Sequence, residues 1–263
     1  MAGVGVMTTG ALAAFDRAAE FQRETLALVG SERTAIPEGW VVRTPSLPLV
    51  WGRNHVEVTR PIELADALAL AERHSQDLGY RQLVVPGGFG EPLAAGLRGL
   101  GWRVERDVTM ALANEVDGSL DTSAVVEAPE AEALELMREW IAEGEEMREN
   151  PDALEEAVES CRLIWRARNA QRFGVLAGDG ALAGMTMLFS DGAVAQVEDV
   201  YVVPSERGKG LGRVLVTHAT RAALASGHEL VFIVADDEGW PKHLYRSVGF
   251  EPTGLTWVFE RSV

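Results

Sequence analysis

The residues best suited to chemistry in this chain fall in one run, Val197-Glu-Asp-Val-Tyr-Val-Val-Pro-Ser-Glu-Arg-Gly-Lys-Gly-Leu-Gly212. Gly208, Gly210 and Gly212 leave their backbone N–H groups open to a ligand, and Leu211 lies among them where a helix-spaced apolar pattern begins. The first turn of a helix carries unpaired N–H groups and the positive end of the helix dipole, so a junction of this kind binds phosphate. Arg207, Lys209 and Arg213 add side-chain cations, and a pyrophosphate would meet both amides and charges. Just upstream, Glu198 and Asp199 are adjacent carboxylates on a predicted strand. Strict alternation points them to opposite faces, so only one is expected to look into a given cleft.

Holding these groups in place takes a strand that ends in the loop and a helix that leaves it. Val200, Tyr201, Val202 and Val203 are β-formers, Pro204 and Ser205 punctuate them, and residues 214–225 carry apolar positions at helical spacing. Residues 229–235 read as a second buried strand, followed by a short helix that starts near Pro241 and stops at Gly249. The loop does not fit the dinucleotide pattern Gly-x-Gly-x-x-Gly, because position 213 is Arg. Nor does it fit a P-loop, because Lys209 is followed by Gly210. What it does carry is Arg-x-x-Gly-x-Gly, Arg207 to Gly212, which resembles the acetyl-CoA pyrophosphate loop of the GCN5-related N-acetyltransferase (GNAT) superfamily. Leu244-Tyr-Arg-Ser-Val-Gly-Phe250 resembles the Leu-Tyr-x-x-x-Gly-Phe segment that closes the acetyl-CoA site in that family, and Leu182-Ala-Gly-Met-Thr186 after Gly178-Asp-Gly180 resembles its hairpin. The resemblance covers residues 123–263 strongly and 40–115 weakly.

It implies an α/β (α+β) GNAT fold, with a mixed, mostly antiparallel sheet flanked by helices. It also implies an acetyl-CoA-dependent N-acetyltransferase acting by direct attack in a ternary complex. In the family a tyrosine at the position of Tyr245 serves as proton donor to the leaving thiolate, and a carboxylate on the strand before the loop takes the amine proton. Glu198 is expected as that base and Asp199 as an amine-orienting group, the reverse assignment staying open; Glu198-Asp-Val-Tyr-Val202 resembles the polyamine acetyltransferase branch. Arg207, Gly208, Lys209, Gly210, Leu211, Gly212 and Arg213 are expected on the pyrophosphate, and Val202 and Val203 on the pantetheine arm in strand fashion. One departure is Ala235-Asp-Asp-Glu-Gly239, where many members carry an asparagine that contacts the cofactor; Asp237 stands there. The expected acceptor is a primary amine of a small molecule (polyamine, aminoglycoside or amino-acid-like), with a protein or peptide amine and a non-catalytic CoA-binding role as alternatives.

Composition agrees with a cationic substrate. The net charge is −16, from 40 acidic against 24 basic residues, which disfavours nucleic acid and anionic membranes as partners. Cys161 is the single cysteine and reads as a small buried helix residue; His218, His228 and His243 have no carboxylate or cysteine at ligand spacing, so no metal is expected. The N-terminal segment has no basic start and no run long enough to span a bilayer, and the expectation is a cytoplasmic protein, either monomeric or a homodimer. Glu139, Glu143, Glu145, Glu146 and Glu149 read first as a solvated face and second as a cap on the acceptor site. Trp240 and Trp257 read as core or cleft-wall aromatics.

At 263 residues the chain is long for one domain, and a weak internal repeat divides it. His55 to Pro61, an amphipathic helix, Gln82 to Val85 and Leu97 to Trp102 repeat the order of Glu198 to Pro204, helix, Leu230 to Ile233 and Tyr245 to Phe250. The first half passes from Pro61 straight into Ile62 with no glycine loop, and Leu97 stands where Tyr245 stands in the second. Residues 1–115 are therefore expected to form a degenerate GNAT-like domain, 116–122 a linker, and 123–263 the acetyl-CoA-binding catalytic domain.

Overall fold

The computed structural model describes residues 9–263; the N-terminal reading, as far as it falls on residues 1–8, lies outside the described residues. The first half runs α1 (Thr9–Leu28), β1 (Glu32–Ile36), β2 (Gly39–Arg43), β3 (His55–Val58), α2 (Leu64–His74), β4 (Tyr80–Pro86), α3 (Glu91–Gly99) and β5 (Arg103–Leu112). The second runs β6 (Val126–Glu127), α4 (Glu130–Ile141), α5 (Glu145–Glu149), α6 (Pro151–Ala167), β7 (Gln171–Leu176), β8 (Leu182–Ser190), β9 (Val194–Val202), α7 (Leu211–Ala225), β10 (Leu230–Asp236), α8 (Pro241–Val248) and β11 (Phe250–Ser262). The order β3-α2-β4-α3-β5 thus recurs as β9-α7-β10-α8-β11.

Local signals explain the element ends nearest the site. Asn150 caps α6 by accepting from the Ala153 N–H at 3.1 Å, with Pro151 at the first helical position. Gly249, at φ 120°, ends α8. Gly210, at φ 82°, opens α7 with no side-chain cap on its first turn.

The described strands form one mixed sheet in the order β1-β2-β3-β4-β11-β5-β10-β9-β8-β7-β6, antiparallel except at β3/β4 and β9/β10. Its centre is an exchange. β11, the last strand of the second half, lies between β4 and β5, with Thr256 opposite both Pro86 and Asp107. β5, the last strand of the first half, lies between β11 and β10, with Asp107 opposite Asp236. The sheet therefore does not divide at residues 116–122. That segment is also held against α7, where Arg221 donates to Leu120 O at 2.9 Å and Arg213 pairs with Asp117 at 3.4 Å.

Alternation along the central strands gives the sheet two different faces. On one, Val108, Met110, Val197, Val231, Ile233 and Phe250 pack under Val216, Ala219 and Ala223 of α7, and Val56, Leu83, Val85, Trp257 and Phe259 pack under Ala67 and Ala71 of α2. Each large apolar side chain removed from water on this face contributes about 1.5–3 kcal/mol. The other face is covered by α1, α4 and α6, with Phe21, Met137 and Trp165 at its core and Phe21 set edge-on to Phe232 at 5.7 Å. Arg168, just past α6, ties this layer together by donating to Phe21 O and Thr25 Oγ1 of α1, both at 2.9 Å. α1 sits so close to β11 that a Cβ on Gly254 would lie 2.3 Å from the Phe15 ring. Among the described residues no helix is long and apolar enough to cross a membrane.

Candidate active site

Two cavities flank the sheet where β9 and β10 part. Their parallel pairing ends at Val197 and Ile233, although β9 continues to Val202 and β10 to Asp236. Against β8, Met187 pairs with Glu198 but Met185 pairs with Tyr201, so β9 carries one extra residue between them. The bulge is Asp199, at φ 54°, a left-handed conformation tolerated by Asp more readily than by most side chains.

That bulge overturns the expected opposition of Glu198 and Asp199. Both line the same cavity, about 510 Å³, between the sheet and the α1/α6 layer. Glu198 keeps the face of Gln196, two residues earlier, and accepts a hydrogen bond from Gln196 Nε2. Asp199, turned to the same side, accepts from Trp165 Nε1 of α6 at 2.7 Å. Burial raises both carboxyls above the ordinary carboxylate range, Glu198 the more, with the charge of Asp199 adding to it. Arg53 from the first half pulls Asp199 the other way; its Nε donates to Ser160 Oγ at 2.9 Å, beside Cys161, whose thiol burial pushes up.

The second cavity, about 460 Å³, opens on the α7/α8 face and is lined by Val200, Tyr201, Val202, the glycine loop, Trp240, Leu244 and Tyr245. Gly208 and Gly210 both lie at φ near 80°, with open space where a Cβ would stand, so the uncapped first turn of α7 faces the cleft. A pyrophosphate fits this cradle, because the donors it needs have no competing partner among the described residues. The three loop cations are ion-paired at the rim: Arg207 with Glu143 at 2.6 Å, Lys209 with Glu206 at 2.8 Å, and Arg213 with Asp117 at 3.4 Å. These pairs are exposed and therefore weak, and a phosphate can displace them.

Tyr245 is 6% exposed and lines this cleft, and its hydroxyl makes no hydrogen bond to the described residues. Burial, and then the charge of Glu198, raises its pKa, so the phenol stays protonated.

Several expected residues sit differently. Val202 lines the cleft, but Val203 donates its N–H to Ala183 O at 2.9 Å and packs into the core beneath, so it faces β8 rather than the cleft. Lys209 stands outside the cleft lining, 56% exposed at its side chain. Asp237 is held by Arg106 and by Lys242 at 3.2 Å, away from the cleft. Of the acidic run, Glu139, Glu143, Glu145 and Glu149 are exposed, and Glu143 touches two residues of the cleft wall, accepting from Tyr201 Oη at 2.8 Å and from Arg207 Nη2 at 2.6 Å. Trp240 is a cleft-wall residue, 70% exposed, and Trp257 is core. Sequence reasoning missed Gln196, Trp165 and Arg53. The two-residue spacing of Gln196 from Glu198 on one strand carried a usable signal; nothing distinguished Trp165 from a core aromatic or tied Arg53 to the second half. Among the described residues no cluster of His, Cys, Asp and Glu could hold a metal ion.

Comparison with known proteins agrees with this geometry. The profile of the acetyltransferase (GNAT) family matches residues 134–250. Streptothricin acetyltransferase of Streptomyces lavendulae is 36% identical over 91 residues, a match that spans 33% of this chain and about half, 48%, of that protein. In fold, a GCN5-related N-acetyltransferase from Kribbella flavida superposes with a TM-score of 0.61 at 18% identity, covering 97% of this chain and 96% of its own. A tandem GNAT protein from the clavulanic acid biosynthesis pathway superposes with a TM-score of 0.50 at 17% identity, covering 93% of this chain and 95% of its own. The glycine loop, the split strands and the tyrosine helix all fall inside residues 134–250, the segment that matches the acetyltransferase (GNAT) family.

Proposed function

We propose that the chain is an acetyl-CoA-dependent N-acetyltransferase whose acceptor is a primary amine on a small cationic molecule. The observation that carries this reading is the pair of cavities on either side of the β9 bulge, lined by the consecutive residues Asp199 and Val200, one holding the glycine loop and the other lined by carboxylates. A donor in the α7/α8 cleft and an acceptor under α1 and α6 would meet through the gap where β9 leaves β10.

When bound, acetyl-CoA supplies a thioester carbonyl at which the amine nitrogen forms a C–N bond as the C–S bond breaks. The chain's own groups handle protons and position. Glu198, with its raised pKa, is matched to accept a proton from an ammonium near neutral pH, as a general base should be. Asp199, fixed by Trp165, stays where it can orient that ammonium. Tyr245 Oη keeps its proton at the end of the cleft and can deliver it to the departing sulfur. The free N–H groups of Val200 and Val202 face away from β8, since Val203 N–H points toward it, and offer a strand edge to an extended amide-bearing arm.

The α1 and α6 layer over the acceptor cavity favours a small molecule over an extended peptide. The test is release of CoA thiol from acetyl-CoA against diamines, amino acids, aminoglycosides, streptothricin and short peptides, with Tyr245→Phe alongside. Turnover on one amine class, lost in the variant, supports the reading; CoA binding with turnover on none overturns it. The domain limits 1–115, 116–122 and 123–263 belong to this proposal as units of descent rather than of folding, because the sheet joins them. A cytoplasmic location and a monomer with two pseudo-equivalent halves complete it.

A further inference from the structure

The acceptor cavity is not built by the acetyltransferase domain alone. Six carboxylates and three arginines line it, and they are unequally paired. Glu57 is held by Arg23 and Arg33, Glu260 by Arg103 and Gln82, and Glu105 by Arg103 at 3.3 Å. Asp107 of β5 has no hydrogen-bond or ion-pair partner among the described residues, although it faces the same cavity as Glu198 and Asp199. Further along the cavity stand two acceptor atoms that are buried and unpaired: Gln82 Oε1, on a residue 3% exposed, and His55 Nδ1, on a residue 6% exposed. Burying such atoms without a partner is costly, and a donor-rich ligand removes that cost. All three lie on strands of the first half, β5, β4 and β3.

Resting on the acetyltransferase reading above, we propose that the first half forms a second cation subsite at Asp107, so that the preferred acceptors carry two ammonium groups, one at Glu198 and one at Asp107. Only β10 separates β9 from β5, and Asp107 lies opposite Asp236 while Glu198 falls in the row of Val234 and Thr109, so the two carboxylates are two strand spacings across and two residues along, on the order of 12 Å. Each ammonium–carboxylate bond takes up about 2.8 Å, which leaves on the order of 6 Å between the nitrogens. That is the reach of a short methylene chain. Thr109 and Val234 line the floor between the two ends and suit methylenes, while Gln82 and His55 extend the row of acceptors for a longer polyamine.

The test uses the full chain and two matched acceptors, butylamine and 1,4-diaminobutane. The expected result is a kcat/KM for the diamine about 10- to 100-fold above that for the monoamine, carried by KM. Asp107→Asn should collapse that ratio toward one by raising the diamine KM while leaving the pH dependence of kcat in place, as a merely structural role would not. Binding of 1,4-diaminobutane to the CoA-loaded protein, read by calorimetry, should weaken by the same factor in the variant. Equal kcat/KM for the two amines in the unsubstituted protein, which needs no variant to fold, overturns the subsite. A ratio unchanged in Asp107→Asn also overturns it. If no amine is acetylated yet diamine binding still depends on Asp107, the subsite stands and the acetyltransferase reading falls.

Discussion

Asp199 shows how much one backbone angle decides here. A φ of 54° at a single strand residue brings two adjacent carboxylates into one cavity, and it follows that the two cannot be ionised as independently as a pair on opposite faces would be. Because burial raises Glu198, kcat/KM should climb with pH through and beyond the range where ordinary carboxylates are already ionised, and Glu198→Gln should flatten that limb along with lowering the rate. Tyr245→Phe should lower kcat by about 100-fold or more with little change in the KM for acetyl-CoA, checked by steady-state kinetics at saturating amine. Asp107 gives a stability prediction of definite sign. Burial raises its pKa from 3.8 to about 6, so its contribution is fully present below pH 4 and is lost as pH rises through 6. Asp107→Asn and the unsubstituted protein should therefore melt alike near pH 4, with the variant more stable by about 2 kcal/mol near pH 8. The pairing of residue types at 198 and 199 was legible in the sequence, but their common direction was not, because alternation assumes a regular strand and nothing in Glu198-Asp-Val200 announces a bulge.

Elements marked by punctuation were legible nearly to the residue. β10 occupies Leu230–Asp236 against the expected 229–235, α8 starts at Pro241 and stops before Gly249, and α7 begins inside the glycine loop. β1 and β2 were not anticipated, although Gly30, Pro37 and Gly39 punctuate them. The loop itself carries the element-scale prediction. Gly210 sits at φ 82°, where a Cβ costs about 1–2 kcal/mol, and it opens the turn whose amides face the cleft. Gly210→Ala should raise the KM for acetyl-CoA several-fold while leaving the amine KM within about twofold, and a nonhydrolysable CoA analogue should bind correspondingly more weakly in calorimetry. Glu143, in the turn after α4, makes a related point: by holding both Arg207 and Tyr201 it occupies the cation that a phosphate would claim, so Glu143→Gln should tighten CoA binding modestly and more at low salt.

At the scale of the whole molecule, hydrophobic periodicity told which face of each strand is apolar, but it carries no record of which strand lies beside which. That is why two repeats were legible and their exchange of last strands was not. The exchange predicts that residues 116–263 expressed alone remain unfolded or aggregate, since β10 would lose β5 and β11 would lose both neighbours, while the full chain melts in a single calorimetric transition. It also sets a schedule for synthesis. The centre of the sheet joins residues as far apart as Arg103 and Glu260, 157 positions along the chain. While the ribosome is still making the second half, β4 and β5 wait with their backbone edges bare, and the first half cannot close until the final strand emerges. Nascent chains should thus bind chaperones from the time β5 appears until β11 is released, and folding should be slow for a protein of this size because its central strand pairings are distant in sequence.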